Sequence, residues 1–220
     1  MNKSVLTKDL FSYLPPYLDE LFAQCEYPWQ ILPKIKECAK ALLASGIQGY
    51  SLIADGVLAG ENVTIAPTAT IIGPCIIGEG TEVRPGAYIR GNVIIGKNCV
   101  VGNSSELKNC ILLDFSQVPH YNYIGDSVLG IHSHLGAGAI CSNLKADGSN
   151  VVVRGDISYD TGLRKMGAIL ADDADVGCGC VLNPGTVIGR GTSVYPLTSV
   201  RGVVASGCIV KSADNIVVRR

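Results

Sequence analysis

Three imidazoles stand within fifteen positions of this chain, at His120, His132 and His134, and the sequence contains no other histidine. A neutral imidazole can accept a proton near neutral pH, and several together can ligate zinc. His132-x-His134 would set two rings on one face of a strand. Cys178 and Cys180 in "GCGC" offer two thiols, but no second pair lies nearby, and no metal is expected there. The nine cysteines are scattered and odd in number, as expected of free thiols used as small hydrophobes in a reducing, cytoplasmic setting. The cations that could hold an anion near the histidines are Arg84, Arg90 and Lys108. Arg164 and Lys165 in "GLRKMG" could do the same for a phosphate, or form a solvated loop pair.

Positioning such groups falls to a chain with 26 glycines, 47% apolar and only 17% charged residues, a composition suited to tightly turned β-structure. A formal net charge of −1 supplies no basic field for nucleic acid or an anionic membrane. No run approaches the length of a membrane span, and Asp9 interrupts the first residues before any leader-like apolar core. Neither nucleic acid nor membrane is expected as a partner.

The governing pattern is a period of six. Ile65, Ile71, Ile77, Val83, Ile89, Ile95, Val101, Leu107 and Leu113 form one register; Leu170, Val176, Leu182, Ile188, Val194 and Val200 form a second. A helical period would drift out of phase within two steps. Six-residue repeats build a parallel β-helix, three hexads to a triangular coil, with coils stacked at about 4.8 Å. About seven coils are predicted, hence a prism on the order of 35 Å long. Residues 1–50 differ. "TKDLFSYLPPYLDELFAQ" and "PKIKECAKALLASG" have helical apolar spacing, with Thr7 as a candidate N-cap, Pro33 near a helix start and Gly46 as a stop. "YPWQ", which holds Trp29, reads as a loop between them. A helical cap over residues 1–50, closing the open end of a β-helix over 51–212, is the expectation.

The rhythm fails twice. A six-step from Leu113 lands on Pro119, which lacks the N–H of a central ladder, and the pattern resumes out of phase at Leu129 and Leu135. A residue lost or gained is therefore expected around "PHYNYIGD". From 142 to 169 the repeat stops, and "SNLKADGSNVVVRGDISYDTGLRK" reads as an excursion with a turn at Asp147–Gly148 and a β-rich arm at Val151–Val153. Excursions from one face of a solenoid commonly carry binding groups.

In order along the chain stand "RPGA" (84–87), "VGNSSELKN" (101–109), "HYNYIGD" (120–126), "LGAGA" (135–139) and "CSN" followed by "DG" (141–148). Over roughly residues 57–210 the sequence resembles the hexapeptide-repeat acyltransferase family. Within it, these motifs resemble the acetyltransferase domain of bifunctional glucosamine-1-phosphate acetyltransferase/N-acetylglucosamine-1-phosphate uridyltransferases. The resemblance implies a left-handed β-helix, an all-β solenoid. It also implies acetyl-CoA as co-substrate, an amino sugar phosphate or nucleotide amino sugar as acceptor, and a homotrimer with intersubunit sites. It implies His120 as general base and Tyr123 and Asn143 as substrate-positioning groups. Lys108, with Arg84 and Arg90, would serve the phosphate. Backbone amides near Gly136–Gly138 would face the oxyanion, and Ala137, Gly138 and Cys178 the coenzyme. His134 stands where close relatives have Asn, Leu144 where they have Tyr and Cys178 where they have Ser, so the acceptor sugar is left open. No "G-x-G-T-R-M…P-K" nucleotide loop occurs in these residues, and uridylyl transfer is not expected of them.

Such chemistry needs a base near pKa 7 to take a proton from the attacking amine, and donors aimed at the tetrahedral oxyanion. Lys108 and His120 are two hexads apart and fall on different faces, so a site using both sits at an edge or is completed by a neighbour. Two alternatives stay open. Hexapeptide prisms also carry γ-class carbonic anhydrases, with zinc on three histidines. The other is a regulatory or scaffolding solenoid without chemistry.

Overall fold

A computed structural model describes residues 3–219, and residues 57–212 wind as the left-handed parallel β-helix. Each short strand pairs in parallel with its counterpart one coil on, as Cys75–Ile77 does with Val93–Ile95 and Glu82–Val83 with Val100–Asn103. Two faces carry eight parallel rungs and the other seven. The first face turns Val83, Val101, Val118 and Leu135 to the axis, the second Ile89, Leu107, Ile124 and Cys141, the third Ile77, Ile95, Leu112 and Leu129. Non-glycine residues with positive φ recur at the edges, for example Asn98, Phe115 and His132 between the third and first faces.

The break in rhythm lies elsewhere than the hexad count places it. Leu112, and not Leu113, faces the axis. Val118 and Ile124 then keep the six-step straight through "PHYNY". Leu107 pairs with Ile89 eighteen residues back but with Ile124 seventeen residues on. One residue is thus missing at Lys108–Asn109 and again at Gly125–Asp126, both on the edge between the second and third faces. There Glu106–Leu112 and Tyr123–Leu129 run over the edge as single strands. Pro119 lies buried inside the strand Gln117–His120, against the sequence expectation. Room is made for it by Gly102 on the adjoining rung, where any Cβ would collide with the Pro119 carbonyl.

The excursion leaves the same edge after Ile140–Cys141 and rejoins the third face at Ala168–Leu170, so Ile169 already belongs to a rung. Its neck is a bridge from Leu144 to Lys165, and its arm is an antiparallel hairpin of Val152–Arg154 and Ser158–Asp160. Gly148 N–H bonds the Lys145 carbonyl at the turn.

The N-terminal segment does not cover the open end. It contributes helices Thr7–Leu10, Asp19–Ala23 and Ile35–Ser45, with 3-10 turns Pro16–Leu18 and Pro28–Lys34, so Trp29 lies in a 3-10 turn and not a loop. Leu6, and not Thr7, is the N-cap, while Gly46 with φ +74° ends the last helix as predicted. These elements lie along the third face because its outward positions are apolar as well: Ile76, Ile94, Ile111 and Val128 are fully buried against Ile31, Leu32 and Ile35. Val151, Val153 and Met166 of the excursion complete the same layer. Tyr159 joins the stacked rings of Tyr27 and Trp29, with centroids 5.4 and 5.6 Å away. The first coil stays open, and its inward Ile65 is 36% exposed. Antiparallel strands Tyr50–Ala54 and Asn215–Val218 pair with the outermost rungs instead.

Candidate active site

His120 is the last residue of Gln117–His120, where the first face turns to the second. The turn is held from inside by buried Asn122. Its Oδ1 accepts the His120 N–H at 3.1 Å, and its Nδ2 donates to the carbonyls of Gly136 and Ala139 at 2.8 and 3.2 Å. The backbone is thereby fixed while the imidazole stays exposed, with no hydrogen-bond partner among the described residues. One rung on lies Ala137. Gly136 N–H bonds Val176 O at 2.7 Å and Gly138 N–H bonds His120 O at 3.0 Å, which leaves the Ala137 N–H without an acceptor among the described residues. The oxyanion expectation over Gly136–Gly138 therefore narrows to that one amide. Cys178, one rung further on this edge, is the exposed member of nine free thiols.

Tyr123 begins the next strand, on the second face. Its ring lies along the face over Gly125, where a Cβ would fall 2.5 Å from Tyr123 Oη and 2.7 Å from Asn143 Nδ2. Asn143 Nδ2 donates to Tyr123 Oη at 3.2 Å and to Asp126 Oδ2 at 2.5 Å. Asp126, 5% exposed, also accepts from Asn109 Nδ2 at 2.9 Å and from Lys108 Nζ at 3.2 Å. Burial raises the Tyr123 phenol above its ordinary value, helped by the charges of Glu106 and Asp126, so it stays protonated through neutral pH.

Arg84, Arg90 and Lys108 are each engaged by a carboxylate. Lys108 pairs with Asp126 at 3.2 Å, Arg90 with Glu106 at 2.6 Å, and Arg84 with Glu82 at 3.0 Å. Arg90 is one rung from Lys108 on the second face and leans over the Tyr88 ring at 5.8 Å. Arg84 stands on the first face, two rungs from Pro119. Exposed Arg164 and Lys165 lie at the neck of the excursion, with no carboxylate partner among the described residues.

His132 and His134 do not present two rings on one strand face, the arrangement their spacing allows. His132 occupies the opposite edge with φ +55°, stacked on Phe115 at 4.7 Å. His134 starts its strand on the first face and holds Asp175 at 2.8 Å. It is one rung and three residues away from His120, roughly 10 Å. The structure thus brings His120 together with Ala137, and Tyr123 with Asn143 and Lys108; it does not bring His134 to either group.

Asp126, Asn109 and Gly125 escape the sequence reading. A signal for them exists: Asn109, Asp126 and Asn143 are spaced by seventeen, the length of the shortened coils. A search confined to multiples of six passes over it.

Comparison with known proteins gives the following. A family model described as the GMPPB C-terminal domain matches residues 71–162. The chain is 31% identical over 197 residues to the "Bifunctional protein GlmU" of Methanococcus maripaludis, covering 88% of this chain and 48% of that protein. It is 34% identical over 98 residues to the "Bifunctional sugar-1-phosphate nucleotidylyltransferase/acetyltransferase" of Sulfurisphaera tokodaii, covering 44% of this chain and 24% of that one. The chain thus spans about half the length of the first relative and less of the second. Among solved structures, a single-residue mutant of AntD, an N-acyltransferase from Bacillus cereus in complex with dTDP and coenzyme A, aligns at 16% identity. That alignment covers 79% of this chain and 92% of the other, with a TM-score of 0.47, and adds nothing to what the coils show by themselves. The similarity to GlmU-type bifunctional proteins is the one the hexad motifs imply.

Proposed function

We propose that this chain is an acetyl-CoA-dependent N-acetyltransferase whose acceptor is an amino sugar phosphate or a nucleotide amino sugar. The observation that carries the reading is one edge of the prism. There an exposed imidazole, His120, stands one rung from an unengaged amide, Ala137 N–H, and the second face that starts from this edge carries a tyrosine and an asparagine already bonded to each other. Similarity to the relatives' bifunctional sugar-phosphate enzymes supports it.

In the reaction so read, the acceptor's amine nitrogen attacks the thioester carbonyl carbon while the Ala137 N–H faces the developing oxyanion. His120 takes the proton that the nitrogen sheds. The C–S bond then breaks, the acetyl group stays on nitrogen, and the coenzyme thiolate recovers a proton from the imidazolium. Tyr123 and Asn143 orient the acceptor, and Gly138 and Cys178 adjoin the thioester. A phosphate would draw Lys108, Arg84 or Arg90 from their carboxylates by charge-assisted bonds. The site is read as completed between copies in a homotrimer, supported by exposed Tyr121, Ile140, Val181 and Leu197 along this edge and face.

Among the described residues no helix is long and apolar enough to cross a membrane. The scaffold reading draws on one observation, the closure of all three cations in ion pairs. An acetyl-CoA consumption assay over glucosamine-1-phosphate, galactosamine-1-phosphate and nucleotide amino sugars separates the two. Turnover that falls about 10²- to 10⁴-fold in His120→Ala is the expected result. Absence of turnover on every acceptor favours the scaffold, and turnover untouched by His120→Ala removes the base.

A further inference from the structure

We infer that Asp126 is the positioning residue of this site, fixing which way the Asn143 amide faces and thereby which hydrogen-bonding groups the acceptor meets. The inference rests on the acetyltransferase reading for what those groups bind. The geometry itself does not depend on that reading.

Asp126 sits at the shortened second edge with φ +48°, its carboxylate turned into a ring of donors: Lys108 Nζ, Asn109 Nδ2 and Asn143 Nδ2. A carboxylate only accepts, so the amide nitrogen of Asn143, and not its oxygen, must face it. The same nitrogen donates its other hydrogen to Tyr123 Oη. Two consequences follow from valence alone. Tyr123 accepts from Asn143, so its own O–H is free to donate. Asn143 Oδ1 is free to accept, and neither group meets a partner among the described residues. The acceptor is therefore offered one donor and one acceptor, side by side on the second face.

That polarity suits an amine nucleophile. An N–H given to Asn143 Oδ1 leaves the nitrogen lone pair clear for attack. With the amide reversed, Nδ2 would bond the lone pair and block it. Asp126 excludes the reversed state because amide oxygen and carboxylate would then oppose each other. Lys108 supplies the counter-charge that a carboxylate at this depth requires. Asn109 spends its other amide hydrogen on the Leu32 carbonyl at 3.3 Å, tying the arrangement to the helical layer. The backbone of the excursion's neck closes the far side, with Met166 N–H on Asn143 O and Gly167 N–H on Asp126 O at 3.0 and 2.8 Å.

The test compares Asp126→Asn with the exchanged pair Asp126→Asn/Asn143→Asp in the full chain. The single change removes the constraint on the amide. KM for the amino sugar should rise at least about tenfold, with KM for acetyl-CoA within about twofold. The exchanged pair restores a donor–acceptor contact in the column, so its thermal midpoint should return toward that of the unaltered chain. Yet the carboxylate introduced at position 143 would then accept a hydrogen bond from the Tyr123 O–H, which would no longer be free for the acceptor, and the acceptor KM should stay raised. Stability and acceptor KM recovering together in the exchanged pair would overturn the inference, since packing alone predicts that. So would an acceptor KM unchanged by Asp126→Asn. A readout without substrate separates this from the reading of function: the Asn143 side-chain amide, assigned in NMR spectra by its loss in Asn143→Asp. It should exchange with solvent at least about tenfold faster in Asp126→Asn. If the unaltered chain acetylates no amino sugar, the function reading fails, and that exchange ratio decides for or against the fixed amide.

Discussion

Gly125 shows how little space the site leaves. Its missing Cβ is occupied by the phenol of Tyr123 and the amide of Asn143, both under 3 Å from where that carbon would lie. Gly125→Ala should push both side chains off their positions while leaving the solenoid intact, because the neighbouring Ile124 and Ser127 remain buried. A displacement on the order of 1 Å costs about a hundredfold in turnover when it falls on positioning groups. The expected result is a loss of kcat/KM of about that size in the acetylation assay, with unfolding free energy within about 1 kcal/mol of the parent by urea titration. An unchanged kcat/KM would show that Tyr123 and Asn143 do not meet the acceptor.

The elements answer to two kinds of pattern, and only one is legible in the sequence. Inward hexad positions are read easily because a single polar substitution there would empty the axis; the second register from Leu170 to Val200 matches the structure residue for residue. Outward positions of the third face are apolar too, but a reading fixed on one residue in six does not ask about its neighbours, and so it places the helices at the open end. The site divides the same way. His120, Tyr123 and Asn143 are visible through local motifs. The contact of Asp126 with Asn109 and Asn143 depends on a coil length of seventeen that no local motif states. Beside its apolar contacts, the N-terminal segment is tied to the solenoid by a buried acid of the same hidden kind. Asp172, fully buried, accepts the Ser12 N–H at 2.6 Å, the Ser12 hydroxyl at 2.7 Å and the Ile131 N–H at 3.1 Å. Asp172→Ala removes the acceptor of all three bonds and should cost about 1–3 kcal/mol. Urea midpoints report the loss, and limited proteolysis should cut first near Ser12.

At the scale of the whole molecule, the wall is lined with thiols that cannot readily ionise. Burial pushes Cys75, Cys99 and Cys141 up to about 12 from an ordinary 9.0. A folded pKa above the unfolded one stabilises fully below the unfolded value and is lost as pH rises through the folded one. Stability should therefore be level with respect to these groups to about pH 9 and fall between about pH 9 and 12. Each thiol contributes up to about 1.4 kcal/mol per pH unit over that range. Thermal midpoints measured across about pH 7–11 check the sign. The proposed homotrimer has its own probe in Leu197, 85% exposed on the His120 edge. If the proposed trimer forms, Leu197→Asp should convert it to monomers in sedimentation and abolish the proposed acetylation, while a wild-type chain that sediments as a monomer removes the intersubunit site.

The shortened edge also bears on how such a chain finds its own order. A solenoid of like coils is degenerate: a strand could pair one coil too early or too late and still bury an aliphatic residue at every sixth place. Coils of seventeen residues break that symmetry. Glu106–Leu112 and Tyr123–Leu129 match each other along their full length, whereas the eighteen-residue coil before them must be met in two separate pieces, at Tyr88–Ile89 and Val93–Ile95. A slip of one coil anywhere nearby would set a seven-residue strand against an edge turn. Together with the excursion and the sixteen-residue step from Ile188 to Val204, the pair of short coils thus marks places on a repeating ruler against which the other coils take theirs.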